Sequence, residues 1–124
     1  MAQIIYQQVN EFRRSQGLEP LALESVISVQ ANQHSETMAQ SSSLSHDGFE
    51  QRINTIRQSL PLRSAAENVA FNSGFNNPAE QAVEGWKNSP GHRQNMLGNF
   101  SKTGIGISQN EQGEYYFTQI FGQP

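Results

Sequence analysis

The chain has 124 residues, a net charge of −3 and no cysteine. This length fits one domain over residues 1–124, and the lack of cysteine excludes disulfides, thiolate nucleophiles and cysteine-ligated zinc. The eight Lys and Arg residues are scattered and form no basic stripe, which argues against a nucleic-acid partner, and no apolar run approaches the roughly 20 residues of a membrane span.

The first forty residues predict two helices joined by an extended connector. Residues 2–16 place apolar side chains at helical spacing, and Gly17 follows them as a typical helix end. A second helix is predicted over residues 23–40. His34 lies on its apolar stripe, which is typical of a histidine that faces the core or is partly buried.

The middle of the chain predicts less regular structure. The stretch "SSSLSHDGF" has the composition of a loop, and a short helix follows it with Phe49, Ile53 and Ile56 on one side. Residues 59–77, which contain Pro61 and several Asn and Gly residues, predict an irregular segment.

The last third predicts a helix, a break and a β-hairpin. Asn77 and Pro78 have the residue types of a helix cap and first turn, and Ser89 begins the "SPG" break before a short turn of helix. The segments "TGIGISQ" and "EYYFTQIFG" predict the hairpin strands, and the second is apolar on both faces. Such a strand is covered on both sides, so the sequence predicts an α+β fold with a small sheet between helical layers.

Three residues have the chemistry of a site: His46, Glu67 and His92. Both histidines lie in loop-like contexts beside glycine, and Glu67 lies inside the largely apolar "AAENVAF", where a carboxylate needs partners. Glu67 could bond a loop backbone or pair with the imidazoles. Two histidines and a carboxylate form a ligand set for zinc or, without metal, a general acid/base group. The wide spacing of the three residues does not decide between these alternatives.

Ser89 raises the alternative of a serine hydrolase triad with a histidine and a glutamate. It lacks the G-x-S-x-G context of a nucleophile elbow, and Pro follows it directly. A helix cap at Ser89 fits this pattern better than a nucleophile does.

Several motifs occur in a characteristic order: "LSHDGF", "AENVAF", "GWKNSPGHRQNML", "TGIGIS" and "YYFTQIFG". Together they resemble the CAP superfamily (cysteine-rich secretory proteins, antigen 5 and pathogenesis-related 1 proteins; the SCP domain), in its cysteine-free bacterial form. The resemblance covers nearly the whole chain. It implies an α-β-α sandwich with a small, mainly antiparallel sheet, and a cleft where His46, Glu67 and His92 converge.

The resemblance also implies a departure from the family's cleft. That cleft holds two histidines and two glutamates, and some members bind zinc or another divalent cation there. Ser89 stands here where the family has its second glutamate, and Glu84 points away from that direction by helical geometry. A metal held by His46 and His92 would therefore bind more weakly than in members with the full set.

The function implied by the resemblance is that of an extracellular or cell-envelope binding or scaffold module for a protein, peptide or lipid ligand. The alternative is a metal-assisted or acid/base hydrolase, similar to a protease, that uses His46, Glu67 and His92. A third alternative is a structural cluster of the same residues that ties the loops to the sheet.

Overall fold

The structure is a computed structural model that describes residues 1–124. The chain forms helices and strands in this order: α1 (Ala2–Ser15), β1 (Ala22–Leu23), α2 (Ser25–Ser41), α3 (Phe49–Arg57), β2 (Ser64–Asn72), α4 (Pro78–Lys87), α5 (Pro90–Met96), β3 (Lys102–Gln109) and β4 (Tyr115–Gln123). No helix has the length and apolar character needed to cross a membrane.

The four strands form one mixed sheet in the order β1-β3-β4-β2. β4 lies in the middle and pairs antiparallel with both β3 and β2, whereas the two-residue β1 pairs parallel with β3. The sheet is therefore mainly antiparallel. The predicted C-terminal hairpin is its β3–β4 pair.

β4 is buried on both faces, as its apolar pattern predicts. Phe117 and Phe121 pack into a core with residues of α1, α4 and α5, whereas Ile120 packs with residues of α2 and α3 on the opposite face. Tyr116 joins a smaller cluster with Met38 and Ala39 at the end of α2. Since each face of the sheet carries its own helical layer, the α-β-α sandwich is confirmed.

The prediction of irregular structure over residues 59–77 is wrong for its central part. β2 spans Ser64–Asn72 there and pairs along its full length with β4. The segment lacks an apolar and polar alternation, because Glu67 and the fully buried Asn68 are polar residues inside the protein. Pairing with β4, which is distant in the sequence, stabilises this strand more than its local pattern suggests.

The helix α2 lies directly on β3. A Cβ atom at Gly104 would overlap the backbone of Ile27 and Ser28, and one at Gly106 would overlap that of Ala31. The glycines therefore allow a close approach that side chains would prevent. This contact places His34, one turn further along α2, beside the loop that precedes α3.

Candidate functional site

The Glu67 carboxylate is the centre of a buried polar network. It lies on β2 with only 6% of the residue exposed. Arg52 on α3 donates from Nε to Oε2 at 2.9 Å and from Nη2 to Oε1 at 2.7 Å. His46 Nδ1 lies 2.9 Å from the same Oε1. The desolvated carboxylate is thus matched by a bidentate guanidinium and an imidazole.

Arg52 also orders the residues around it. Its Nη1 donates to the carbonyl of Asp47 at 2.7 Å and to His34 Nδ1 at 3.0 Å. Because a guanidinium only donates, His34 Nδ1 accepts, and its Nε2–H donates to the carbonyl of Ser45 at 2.7 Å. His34 is therefore neutral, and burial, aided by the charge of Arg52, lowers its pKa below the usual 6.5. The prediction of a buried His34 is confirmed.

The short helix α5 carries the other two predicted residues. Ser89 occupies its N-cap position and Pro90 its first turn, as predicted. The Ser89 hydroxyl, however, makes no cap bond to the backbone and lies 2.8 Å from His92 Nδ1 instead. Burial lowers the pKa of His92, and the charge of His46 lowers it further.

Side-chain amides hold α5 against β2. Asn68 donates to the carbonyl of His92 at 3.1 Å, and Asn95 donates to Asn68 Oδ1 at 3.0 Å. These bonds bring His92 next to the strand that carries Glu67. His46 bonds Glu67 directly, whereas no hydrogen bond joins His92 to either residue. We refer to His46, Glu67, Ser89 and His92 together as the His–Glu cleft, after the cleft that the family resemblance implies.

The donor set of the cleft is incomplete for a three-ligand metal site. No group of three or more His, Asp or Glu side chains is arranged to hold a metal ion. Both Glu67 oxygens bond Arg52, and Glu84 is exposed on α4 beside Lys87, with 3.9 Å between Oε2 and Nζ. The two imidazoles, His46 and His92, are the groups that remain for a cation.

A groove of about 330 Å³ lies beside the cleft, between the outer edge of β2 and α4. Trp86 forms part of its wall and donates from Nε1 to the carbonyl of Val69 at 3.0 Å. Phe71 and Phe75 line it while 44% and 50% exposed, and His92 lies at its margin. We call this the β2 groove.

Arg52 is the site residue that sequence reasoning missed. The sequence predicts that Glu67 needs a partner, but the scattered basic residues, Arg52 among them, show no pattern that assigns one. A signal does exist, because Arg52 lies four residues before the buried Ile56 and therefore on the same face of the short helix. A cation at that position lies close to the core-facing side of the helix.

A small, mainly antiparallel sheet between two helical layers, with His46 bonded to Glu67 on the strand that precedes α4, defines an α-β-α sandwich of the SCP type. The sequence profile of the cysteine-rich secretory protein family (CAP) matches residues 6–121. The chain belongs to this family.

Similar proteins occur in several bacteria, and the two Bacillus relatives carry the domain inside longer chains. The uncharacterised protein YkwD of Bacillus subtilis is 31% identical over 117 residues, which cover 92% of this chain and 44% of that protein. An extracellular protein of Bacillus anthracis with an SCP domain superposes with a TM-score of 0.85 and 28% identity over 99% of this chain and 40% of that one. An outer surface protein of Borrelia burgdorferi shares the fold, with a TM-score of 0.83 and 18% identity over 98% of this chain and 90% of that one. The chain thus spans less than half the length of both Bacillus relatives.

Proposed function

We propose that the chain is a non-catalytic binding module that works outside the cytoplasm, at the cell envelope or in the medium, and that its ligand contacts the His–Glu cleft. The location is supported by the Bacillus anthracis relative, which is described as extracellular and is 28% identical to this chain in the aligned region. The ligand would be a protein, a peptide or a lipid.

The state of Glu67 carries this proposal. Both carboxylate oxygens are engaged by Arg52, and Oε1 is also bonded by His46. The Glu67 side chain is only 1% exposed, so a substrate or a cation would have to displace Arg52 or His46 to reach its oxygens. The carboxylate therefore organises the cleft, and recognition falls to the imidazoles of His46 and His92 and to the hydroxyl of Ser89.

The hydrolase remains the second candidate, and one observation favours it. Glu67 bonds Nδ1 of His46, whose side chain is 54% exposed, so that Nε2 is left for a substrate. A carboxylate that orients an exposed imidazole in this way is a common arrangement for general acid/base catalysis. Divalent metal is a separate proposal with His46 and His92 as ligands, and two imidazoles alone predict weak affinity.

A single screen tests binding against catalysis. Peptide, lipid and sugar fragments are titrated into ¹⁵N-labelled protein, and the same samples are followed for hydrolysis. The module predicts amide shifts that cluster at the cleft, that disappear in His92→Ala, and that occur without product. Hydrolysis that is lost in His46→Ala would show that the chain is a hydrolase and not a non-catalytic module. The absence of any amide shift at the cleft would contradict both functions.

Calorimetric titration of zinc into metal-stripped protein tests the metal. We expect affinity weaker than micromolar, reduced further in His92→Ala, because Glu67 is already paired. Binding tighter than about micromolar would show that Glu67 leaves Arg52 to join the ligands.

A further inference from the structure

The outer edge of β2 has free backbone groups at Phe71. Trp86 reaches the carbonyl of Val69, so the backbone groups of Val69 point away from β4. Every second residue of an antiparallel strand points the same way, so Phe71 also presents its N–H and C=O to the outside. Neither group of Phe71 bonds another part of the chain on that side. The edge also lacks the lysine, proline or bulge that commonly protects an edge strand.

The β2 groove follows this free edge and is shaped for a narrow, extended occupant. Phe71 and Phe75 expose aromatic surface on one side, and α4 forms the other side. A Cβ atom at Gly85 of α4 would meet nothing within 4 Å, which leaves room for side chains of an occupant. An added strand combines main-chain bonds to an edge with pockets for alternate side chains.

The groove is closed at the end nearest Glu67. There Asn95 donates to the Glu67 carbonyl at 3.5 Å, and Asn68 holds the backbone of His92. A strand that runs antiparallel to β2 from its Phe71 end would meet α5 at this point. It would have to end in front of Ser89 and His92.

The charges of the groove favour a carboxylate at that end. None of the lining residues is Asp, Glu, Lys or Arg, and His92 is the one ionisable group among them. The nearby carboxylate of Glu67 is already paired with Arg52. Ser89 Oγ lies 2.8 Å from His92 Nδ1, so Nε2 is the ring nitrogen left to face an occupant. Its N–H can donate a charge-assisted hydrogen bond to a carboxylate, and no lining carboxylate repels that group.

We propose that the β2 groove binds an extended peptide as a fifth strand, antiparallel to β2, with the peptide's C-terminal carboxylate at His92 and Ser89. This inference deepens the proposed function, on which it rests, because it names the ligand class and the way the ligand is held. The competing occupant of a free edge, a second copy of this chain, is an outcome of the test below.

The test starts with a displayed library of random octapeptides that have free C-termini. Enriched sequences are synthesised as the free acid, as the C-terminal amide, and with one backbone nitrogen methylated, and their affinities are measured by fluorescence anisotropy. We expect the amide and the methylated peptide each to bind about tenfold more weakly than the acid, since each removes a polar contact worth about 1.4 kcal/mol. Enrichment of no sequence, or equal binding of acid and amide, would overturn the proposal.

Substitution of Gly85 locates the binding site. Gly85→Leu fills the groove from an exposed helix position and should lower the affinity for the free-acid peptide at least tenfold. The matched Gly85→Ala should change that affinity less than about threefold. His92→Ala should abolish the preference for acid over amide. Unchanged binding in Gly85→Leu would place the peptide elsewhere and overturn the proposal. So would a wild-type dimer that Gly85→Leu converts to monomer, because the second copy would then occupy the edge.

The two proposals fail in different ways. If the fragment screen shifts cleft amides but no octapeptide is enriched, the binding module stands and the strand addition is wrong. If octapeptides bind with the expected acid preference and are then cleaved, the strand addition stands and the non-catalytic function is wrong.

Discussion

The Glu67 carboxylate is stable inside the protein because Arg52 gives it two charge-assisted hydrogen bonds and His46 gives it a third. The same guanidinium bonds His34 and the loop carbonyl of Asp47. One side chain of α3 thus fixes β2, α2 and the loop that carries His46. Residues of such a network stabilise it only as long as every member has a partner.

Removal of the guanidinium is predicted to destabilise the fold strongly. Arg52→Met leaves a buried carboxylate without its cation, and we expect the free energy of unfolding to fall by about 3–5 kcal/mol. Urea denaturation followed by circular dichroism measures this loss. Arg14→Met, at an exposed position on α1, is the control and should change stability by less than about 0.5 kcal/mol. A loss in Arg52→Met as small as that of the control would show that the pair does not stabilise Glu67.

His34 predicts a dependence of stability on pH. Burial lowers its pKa in the folded chain, so the unfolded chain binds more protons once the pH falls below about 6.5. The contribution of neutral His34 to the free energy of unfolding is therefore fully present above pH 6.5. It is lost as the pH falls through 6.5 toward the lowered pKa of the folded chain. His92 contributes in the same direction.

The variant His34→Gln isolates this contribution. A glutamine oxygen can accept from Arg52 without titrating, so denaturation midpoints between about pH 7 and pH 5 should fall less steeply than in the wild type. An equal slope in both proteins would assign the pH dependence to other groups.

At the scale of elements, the contact between α2 and β3 is set by two glycines. Gly106→Ala would drive a methyl group into the backbone of Ala31, which neither element can relieve without separation. We expect the free energy of unfolding to fall by about 1–3 kcal/mol, as is usual for overpacking, and thermal denaturation measures this loss. Gly85→Ala, on an exposed turn of α4, should instead gain about 0.5–1 kcal/mol from helix propensity. Equal effects of the two substitutions would mean that α2 moves freely on the sheet.

The elements also show what a sequence can and cannot predict here. Helices with regular apolar spacing and the two-faced β4 follow from local pattern. β2 does not, because its burial depends on pairing with β4 some fifty residues away and on the bond from Trp86 to its Val69 carbonyl. The resemblance of motifs implies that His46, Glu67 and His92 converge, and the structure has a direct bond between the first two. Arg52 lay outside those motifs, and local pattern does not specify which cation a buried carboxylate binds.

Buried arginine recurs at a second place for a different reason. Arg13 on α1 donates to the carbonyls of Met96, Gly98 and Phe100. These residues lie at the end of α5 and just after it, more than eighty positions later in the chain. The partners of Arg13 are backbone carbonyls and not a carboxylate. Those of Met96 and Phe100 have no other donor within the chain. The N-terminal helix is thereby fastened to the segment that follows the His92 helix.

For the whole molecule, the sheet joins two cores that have no direct contact across it. Phe117 packs with Trp86 on one face of β4, and Ile120 packs with Ile27 and Ala31 on the other. Because both cores use the same central strand, the loss of either should remove the support of the other. We therefore expect one cooperative unfolding transition.

Two substitutions on opposite faces of β4 test this cooperativity. Phe117→Ala should cost about 3–5 kcal/mol and Ile120→Ala about 2–5 kcal/mol. Fluorescence of Trp86, the single tryptophan, reports on the first core, and hydrogen exchange of α2 amides such as that of Ala31 reports on the second. In each variant both probes should give the same free energy of unfolding. If Phe117→Ala weakened the Trp86 signal while the α2 amides kept wild-type protection, the two layers would unfold independently, and the sheet would not transmit stability between them.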